Sequence, residues 1–145
     1  MGDLQMIKFN NIEIRFGDFT AIRDLSLEVE EGEFFTFLGP SGCGKTTTLR
    51  ALVGFITPAR GTIEVNGEDI TYKPIEKRGI GMVFQSYALF PTMTVEENIT
   101  FGLKENKWEK RAIAEQLKKV TNMVNLTEEQ LKKNVSALSG GQQQR

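Results

Sequence analysis

Gly39-Pro40-Ser41-Gly42-Cys43-Gly44-Lys45-Thr46-Thr47 has the spacing G-x-x-x-x-G-K-[ST], the pattern of a phosphate-binding P-loop. Its flanks suit the motif. Phe34-Phe35-Thr36-Phe37-Leu38, just before it, is a short apolar run that predicts a buried strand. Lys45 to Val53, just after it, predicts a helix with Leu49, Leu52 and Val53 on one side and Gly54 as its C-terminal stop. A glycine turn that matches by chance is the alternative, and the order of strand, loop and helix argues against it.

The chemistry of this stretch is in its backbone. Gly42 and Gly44 have no Cβ, so the chain can turn tightly and converge its N–H groups on one point. Those groups would sit at a helix N-terminus, where unpaired donors and the helix dipole both favour an anion. Lys45 adds a full positive charge for the β- and γ-phosphates, and the Thr46 hydroxyl is placed to hold Mg²⁺. Cys43 occupies a position that the pattern leaves open and is the only cysteine, so no internal disulfide can form. Alkylation there would block the phosphate site.

Bulk properties narrow the class. A chain of 145 residues, 39% of them hydrophobic, suits one soluble globular domain. Lys+Arg number 18 and Asp+Glu 19, giving a net charge of -1 and no global pull toward nucleic acid. No apolar run is long enough to span a membrane, and Met1-Gly2-Asp3 does not open a signal peptide. The expectation is a cytosolic protein that reaches a membrane only through a partner. The sequence has no histidine, which excludes His-based acid–base chemistry and His-ligated metal within these residues.

Read in order, the chain opens as an antiparallel β region. Ile7, Phe9, Ile12 and Ile14 predict a strand or two, with Asn10-Asn11 as a candidate turn. Phe16-Gly17-Asp18 is a second turn, and Ala21 to Val29 alternates again, with Leu25, Leu27 and Val29 on one face. Glu30-Glu31-Gly32-Glu33 leads into the P-loop strand. Beyond the P-loop helix, residues 57–61 read as a turn and 62–65 as a strand. Asn66-Gly67 reads as a hairpin, and 79–84 as a second apolar strand ending at Gln85. Past Phe90-Pro91 the pattern turns helical. Helices are expected over Val95 to Leu103 with Thr94 as N-cap, over Trp108 to Val124, and over Thr127 to Lys133. The middle one carries Ile113, Leu117, Val120 and Val124 on its apolar side and a Glu115–Lys119 pair on its polar side.

The chain closes on Leu138-Ser139-Gly140-Gly141-Gln142-Gln143-Gln144-Arg145. Alone, this is another helix start, with Ser139 able to cap it; a simple turn and cap explains it equally well. In combination with the P-loop and with Ile80-Gly81-Met82-Val83-Phe84-Gln85 and Leu89-Phe90-Pro91, it resembles the ATP-binding subunit of ABC transporters. The resemblance covers essentially the whole chain. Its wording is most similar to importer ATPases for polyamines, ferric iron, phosphonates and related solutes.

That resemblance implies an α/β fold: a P-loop NTPase (ABC ATPase) core with an antiparallel β subdomain and an α-helical subdomain, C-terminally truncated. Residues 1–90 would hold the β subdomain and core, and 91–145 the helical subdomain ending in the signature. Phe16 would stack on adenine, where many members carry Tyr. Gly39, Pro40, Ser41, Gly42, Cys43, Gly44, Lys45, Thr46 and Thr47 would bind the triphosphate of ATP, with Thr46 on Mg²⁺. Gln85 would reach Mg²⁺ and the attacking water. Ser139, Gly140, Gly141 and Gln142 would serve ATP bound to a second ATPase subunit in a head-to-tail dimer. Lys45, Gln85 and Ser139 would be the catalytic residues of this chain. Ser86 to Thr94 would touch transmembrane permease subunits, since Tyr87, Leu89 and Phe90 are apolar for a loop; they serve equally well as local core. A solute-binding protein would be an indirect partner and nucleic acid none. The location implied is cytoplasmic, on the inner face of the cell membrane.

The sequence stops within the signature helix. The family's second acidic motif, with its Mg²⁺ aspartate and general-base glutamate, and its switch histidine do not occur in it. Loss of one oriented transition-state contact often costs about 10² to 10³ in rate. The chain alone is therefore expected to be a fragment, at best a weak nucleotide binder, poorly stable and without turnover. A non-catalytic nucleotide-binding module is one alternative. An ABC-type ATPase of DNA repair is another, but the short gap between P-loop and signature holds no sustained heptad run. An unrelated P-loop kinase or GTPase would not carry the Leu138 to Gln142 stretch.

Overall fold

The computed structural model describes residues 6–145, so the reading of Met1-Gly2-Asp3 lies outside the described residues. The chain falls into two compact units, one ending at Met82 and the other running Val83–Arg145.

The first unit is built on β1 (Ile7–Phe16), β2 (Phe19–Val29), β3 (Arg60–Val65) and β4 (Glu68–Asp69). They form an antiparallel sheet in the order β2-β1-β3-β4, with β1 pairing on both edges. Phe9, Ile12 and Ile14 are buried on one face although they are not evenly spaced. A register shift between Phe9 and Ile12, with Asn11 at φ 48°, resets the alternation. Asn10-Asn11 is thus a bulge inside one strand rather than a turn between two. Gly17-Asp18 makes the first hairpin and Asn66-Gly67 the second, as their chemistry predicts. α1 (Lys45–Val53) lays Ala51 and Leu52 on the core of Phe9, Ile12, Ile14, Ile63, Val65 and Ile70. Its buried side is Thr48, Ala51, Leu52 and Val53, whereas Leu49 is exposed.

Two expected strands do not form. Residues 34–38 and 79–84 carry no strand pairing, and Phe34, Leu38 and Val83 are 95%, 89% and 94% exposed. A strand exists only through its neighbours, and no strand of the described residues pairs with either run. Phe35 and Phe37 instead meet edge to face at 5.1 Å.

The second unit is helical: α2 (Val95–Glu105), α3 (Lys110–Met123), α4 (Glu128–Leu131) and α5 (Gly140–Gln144). Thr94, Thr127 and Ser139 each cap the helix they precede through a reciprocal capping box. The core is Val95, Leu131, Val135 and Leu138, with Leu89, Ile99 and Leu126 packed on it. α3 turns Leu117 and Val120, with Val124 at its C-cap, toward an open apolar groove of about 480 Å³. On its polar side Glu115 pairs with Arg111 at 3.0 Å instead of with Lys119. Exposed i,i+4 pairs are worth a few tenths of a kcal/mol, so the choice between two cations is weakly determined.

Candidate functional site

The first unit contains the P-loop. Gly44 is the N-cap of α1 at φ 95°, a left-handed conformation that favours glycine. A Cβ there would lie 3.2 Å from Ile22 Cγ1, so the loop also rests directly on β2. α1 has no side-chain cap. Its first backbone hydrogen bond runs from the Thr48 N–H to the Gly44 carbonyl at 2.8 Å. The N–H groups of Lys45, Thr46 and Thr47 therefore precede the helical ladder and have no intrahelical acceptor. Their dipoles add at the loop, which fits an anion.

Lys45 is folded into its own loop. Its Nζ donates to the carbonyls of Gly39 and Pro40, both at 2.7 Å, and lies 3.3 Å from Cys43 Sγ. The ammonium thus sits on the loop that the motif assigns to phosphates and neutralises carbonyl dipoles that point inward. Ser41 and Thr46 are exposed, leaving both hydroxyls accessible. Thr48, one turn into α1, is buried and returns its hydroxyl to the Gly44 carbonyl at 3.0 Å. Phe16 ends β1, half exposed, and pairs with Phe19 across the hairpin. The same two strands pass Ala21 and Ile22 against Gly44, so β2 links the aromatic hairpin to the loop.

The second unit contains Gln85 and the signature stretch. Gln85 is exposed and opens a turn over residues 85–88, in which Tyr87 and Ala88 take φ of 63° and 50°. Two successive non-glycine residues in the left-handed region store strain of order 1 kcal/mol each. After the turn, Leu89 packs on the unit's core, while Tyr87 and Phe90 each stay 41% exposed. Phe90 stacks on Phe101 at 4.5 Å. Asn98 pins the end of the loop: it accepts from the Phe90 N–H at 2.8 Å and donates to the carbonyls of Phe90 and Thr94 at 3.1 and 2.9 Å. Sequence reasoning passed over Asn98, because a helix-borne asparagine reads as an ordinary solvated residue.

Ser139 caps α5. Its hydroxyl accepts from the Gln142 N–H at 3.4 Å, and its own N–H donates to Gln142 Oε1 at 2.9 Å. Gly140 and Gly141 are exposed between them. Among the described residues no three His, Cys, Asp or Glu side chains cluster as a metal site.

The sequence matches the ABC transporter family over residues 22–145, which spans the P-loop, Gln85 and the signature stretch. The chain belongs to the ABC transporter family. It is 51% identical to the spermidine/putrescine import ATP-binding protein PotA of Chromobacterium violaceum, over 98% of this chain and 39% of that protein. It is also 51% identical to the Fe(3+) ions import ATP-binding protein FbpC 2 of Rhizobium meliloti, over 88% of this chain and 32% of that protein. A solved structure, the ATP-binding cassette MJ0796 as a dimer in a post-hydrolysis state bound to ADP and Pi, superposes with a TM-score of 0.81. It shares 27% identity with this chain, over 95% of this chain and 65% of that one. The expected fold class stands: this is an α/β ABC ATPase chain, with an antiparallel sheet and a helical portion. It spans less than half the length of these curated relatives.

Proposed function

We propose that this chain is the nucleotide-binding portion of an ATPase that energises solute import through an ABC transporter. The observation that carries the reading is the start of α1: unclaimed N–H groups on Lys45, Thr46 and Thr47 behind a left-handed glycine, with the Lys45 ammonium beside them. In this reading Lys45 leaves the Gly39 and Pro40 carbonyls and turns to the β- and γ-phosphates of ATP. The N–H groups of Gly42 to Thr47 cradle the phosphates, Thr46 offers its hydroxyl to Mg²⁺, and Phe16 stacks on the adenine. Mg²⁺ supplies charge neutralisation at the phosphates when bound.

Gln85 takes the metal and the attacking water as its targets. Ser139, Gly140, Gly141 and Gln142 present hydrogen-bond donors to nucleotide held by a second ATPase subunit. Support for the dimer comes from the solved relative, and support for import from the names of the curated relatives. The run from Ser86 to Thr94, strained at Tyr87 and Ala88 and partly exposed at Tyr87 and Phe90, is the proposed contact with permease subunits, which would hold the protein at the cytoplasmic face of the membrane. No helix among the described residues is long and apolar enough to cross a membrane. A solute-binding protein would act through the permease. The relatives that carry these names are longer than this chain, so hydrolysis and transport are proposed for the whole protein.

Calorimetric titration of the full chain with ATP and Mg²⁺ tests the reading. Saturable binding that inorganic pyrophosphate competes away is expected, because the loop addresses phosphates rather than the base. A folded chain with no heat change for either probe would sink it.

A further inference from the structure

The loop that faces phosphate opens α1, and the far end of the same helix is held by one buried cation. Arg78 is only 6% exposed. Its Nη1 donates to the carbonyls of Ala51 and Leu52 at 2.9 and 2.8 Å, in the last turn of α1. Its Nη2 donates to the Thr71 carbonyl at 2.9 Å and its Nε to the Lys73 carbonyl at 2.8 Å. All of these acceptors are backbone carbonyls and none is a carboxylate. A buried guanidinium is costly to desolvate, and burial holds its pKa below the ordinary value. It stays charged at neutral pH all the same.

The surroundings are shaped for it. Gly54 is the C-cap of α1 at φ 102°, and its N–H closes the helix on the Arg50 carbonyl at 3.0 Å. A Cβ at Gly54 would stand 2.7 Å from Arg78 Nε and 2.9 Å from its Cζ. The glycine that stops the helix therefore also leaves room for the guanidinium. Stability alone does not call for this arrangement, since well-packed apolar side chains often match or exceed buried charges. A cation at the carbonyl end of a helix, however, acts on the helix as a dipole. With nine residues α1 is a rod of about 13 Å, so a slip or tilt at the carbonyl end is carried to the phosphate loop.

We propose that Arg78 is a positioning residue for the phosphate site: its guanidinium fixes the carbonyl end of α1 and so holds the N–H groups of Lys45 to Thr47 in place for a bound phosphate. The inference rests on the phosphate-binding reading above. It gives the segment 71–78 a task that its sequence does not suggest.

The test is calorimetric titration of the full chain and of R78A with Mg²⁺–ATP and, separately, with pyrophosphate. Each protein is first checked for a cooperative melt and titrated well below its midpoint. In folded R78A, affinity for both probes is expected to fall about tenfold, the size of a partly buried helix-end charge effect. Millimolar methylguanidinium is expected to recover part of the loss, and ammonium is not. A residue that only held the fold would lower the melting temperature and leave the dissociation constant of the folded protein unchanged; that result overturns the inference. Should R78A not fold, R78K keeps the charge but reaches fewer carbonyls, and wild-type affinity in that variant overturns the inference equally. If the unsubstituted chain binds neither probe, the phosphate reading itself fails and takes this inference with it. If the unsubstituted chain binds, K45A does not, and the folded Arg78 variants bind normally, the failure belongs to Arg78 alone.

Discussion

Two helices of this chain begin beside glycines, and they use their first turns in opposite ways. α1 starts after Gly44 with no side-chain cap, leaving the N–H groups of Lys45 to Thr47 unclaimed by the helix. α5 starts after Ser139 with a complete capping box, in which Ser139 and Gln142 satisfy one another. With glycine at its cap position, α1 gives up roughly a few tenths of a kcal/mol of helix stability relative to a good side-chain cap. The first unit accepts that loss where an anion can make it good, and it anchors the other end of α1 with Arg78. The second unit caps its helix start with its own side chains, and the box takes the Gln142 N–H while leaving those of Gly140 and Gly141 outside it. Glycine next to a helix N-terminus is therefore not by itself a binding site; what the first-turn donors are already doing decides.

The largest expected effect lies at Lys45. In this structure its ammonium is held by the Gly39 and Pro40 carbonyls, and in the proposed function it turns from them to phosphate oxygens. Lys45→Ala removes the cation and leaves the phosphate charge without its strongest partner. Removing one member of a close charge pair costs about 2 to 5 kcal/mol, so ATP affinity should fall on the order of a hundredfold or more. The melting temperature should hardly move, because the hydrogen bonds lost are local to an exposed loop. Unchanged ATP affinity in K45A would break the contrast between the two helix starts.

A smaller effect is expected at α2, where the cap includes a charge. The Thr94 N–H and hydroxyl both meet Glu97 Oε2, at 2.8 and 3.0 Å, and the Glu97 N–H returns to the Thr94 hydroxyl at 3.2 Å. Thr94→Ala should cost about 1 kcal/mol in a denaturant titration. The hydrogen bond from the Thr94 N–H, then that from its hydroxyl, holds the Glu97 carboxyl below its ordinary value of 4.5. A carboxyl whose pKa is depressed in the folded state stabilises fully above its unfolded value. Its contribution is lost as pH falls through the lower, folded value. Stability of the second unit should therefore decline in acid, and Glu97→Gln should flatten that part of the profile. Identical acid slopes for the two proteins would show that the cap is not charge-dependent.

The features that were legible in the sequence are those fixed by local chemistry. The start of α1 follows from Gly44-Lys45-Thr46 and its end from Gly54; the caps at Thr94 and Ser139 follow from hydroxyls placed before helical stretches. Both hairpin turns follow from Gly17-Asp18 and Asn66-Gly67. Features that depend on a distant partner were not legible. The runs 34–38 and 79–84 have strand-like composition, but pairing is a property of neighbours, and periodicity cannot supply one. Asn10-Asn11 permits a turn or a bulge, and only the pairing of β1 on both edges chooses the bulge. Arg78 was invisible for a related reason: arginine is mostly exposed in proteins, whereas here its burial depends on carbonyls 26 and 27 residues away in the chain. The fold of Lys45 onto its own loop needs the loop's carbonyl directions, which no motif states.

The smallest effect is expected at Ser139. The hydroxyl bond to the Gln142 N–H is long at 3.4 Å, and α5 has only five residues. Ser139→Ala should therefore cost less than about 1 kcal/mol in stability. In dilute solution, where a second copy is absent, the variant should leave ATP affinity unchanged. Raising the protein concentration sharpens the point. If Ser139 addresses nucleotide held by another copy, S139A should weaken ATP binding only where the unsubstituted chain associates, and the loss should vanish on dilution. A loss that is independent of protein concentration would overturn the assignment of Ser139 to nucleotide held by another copy.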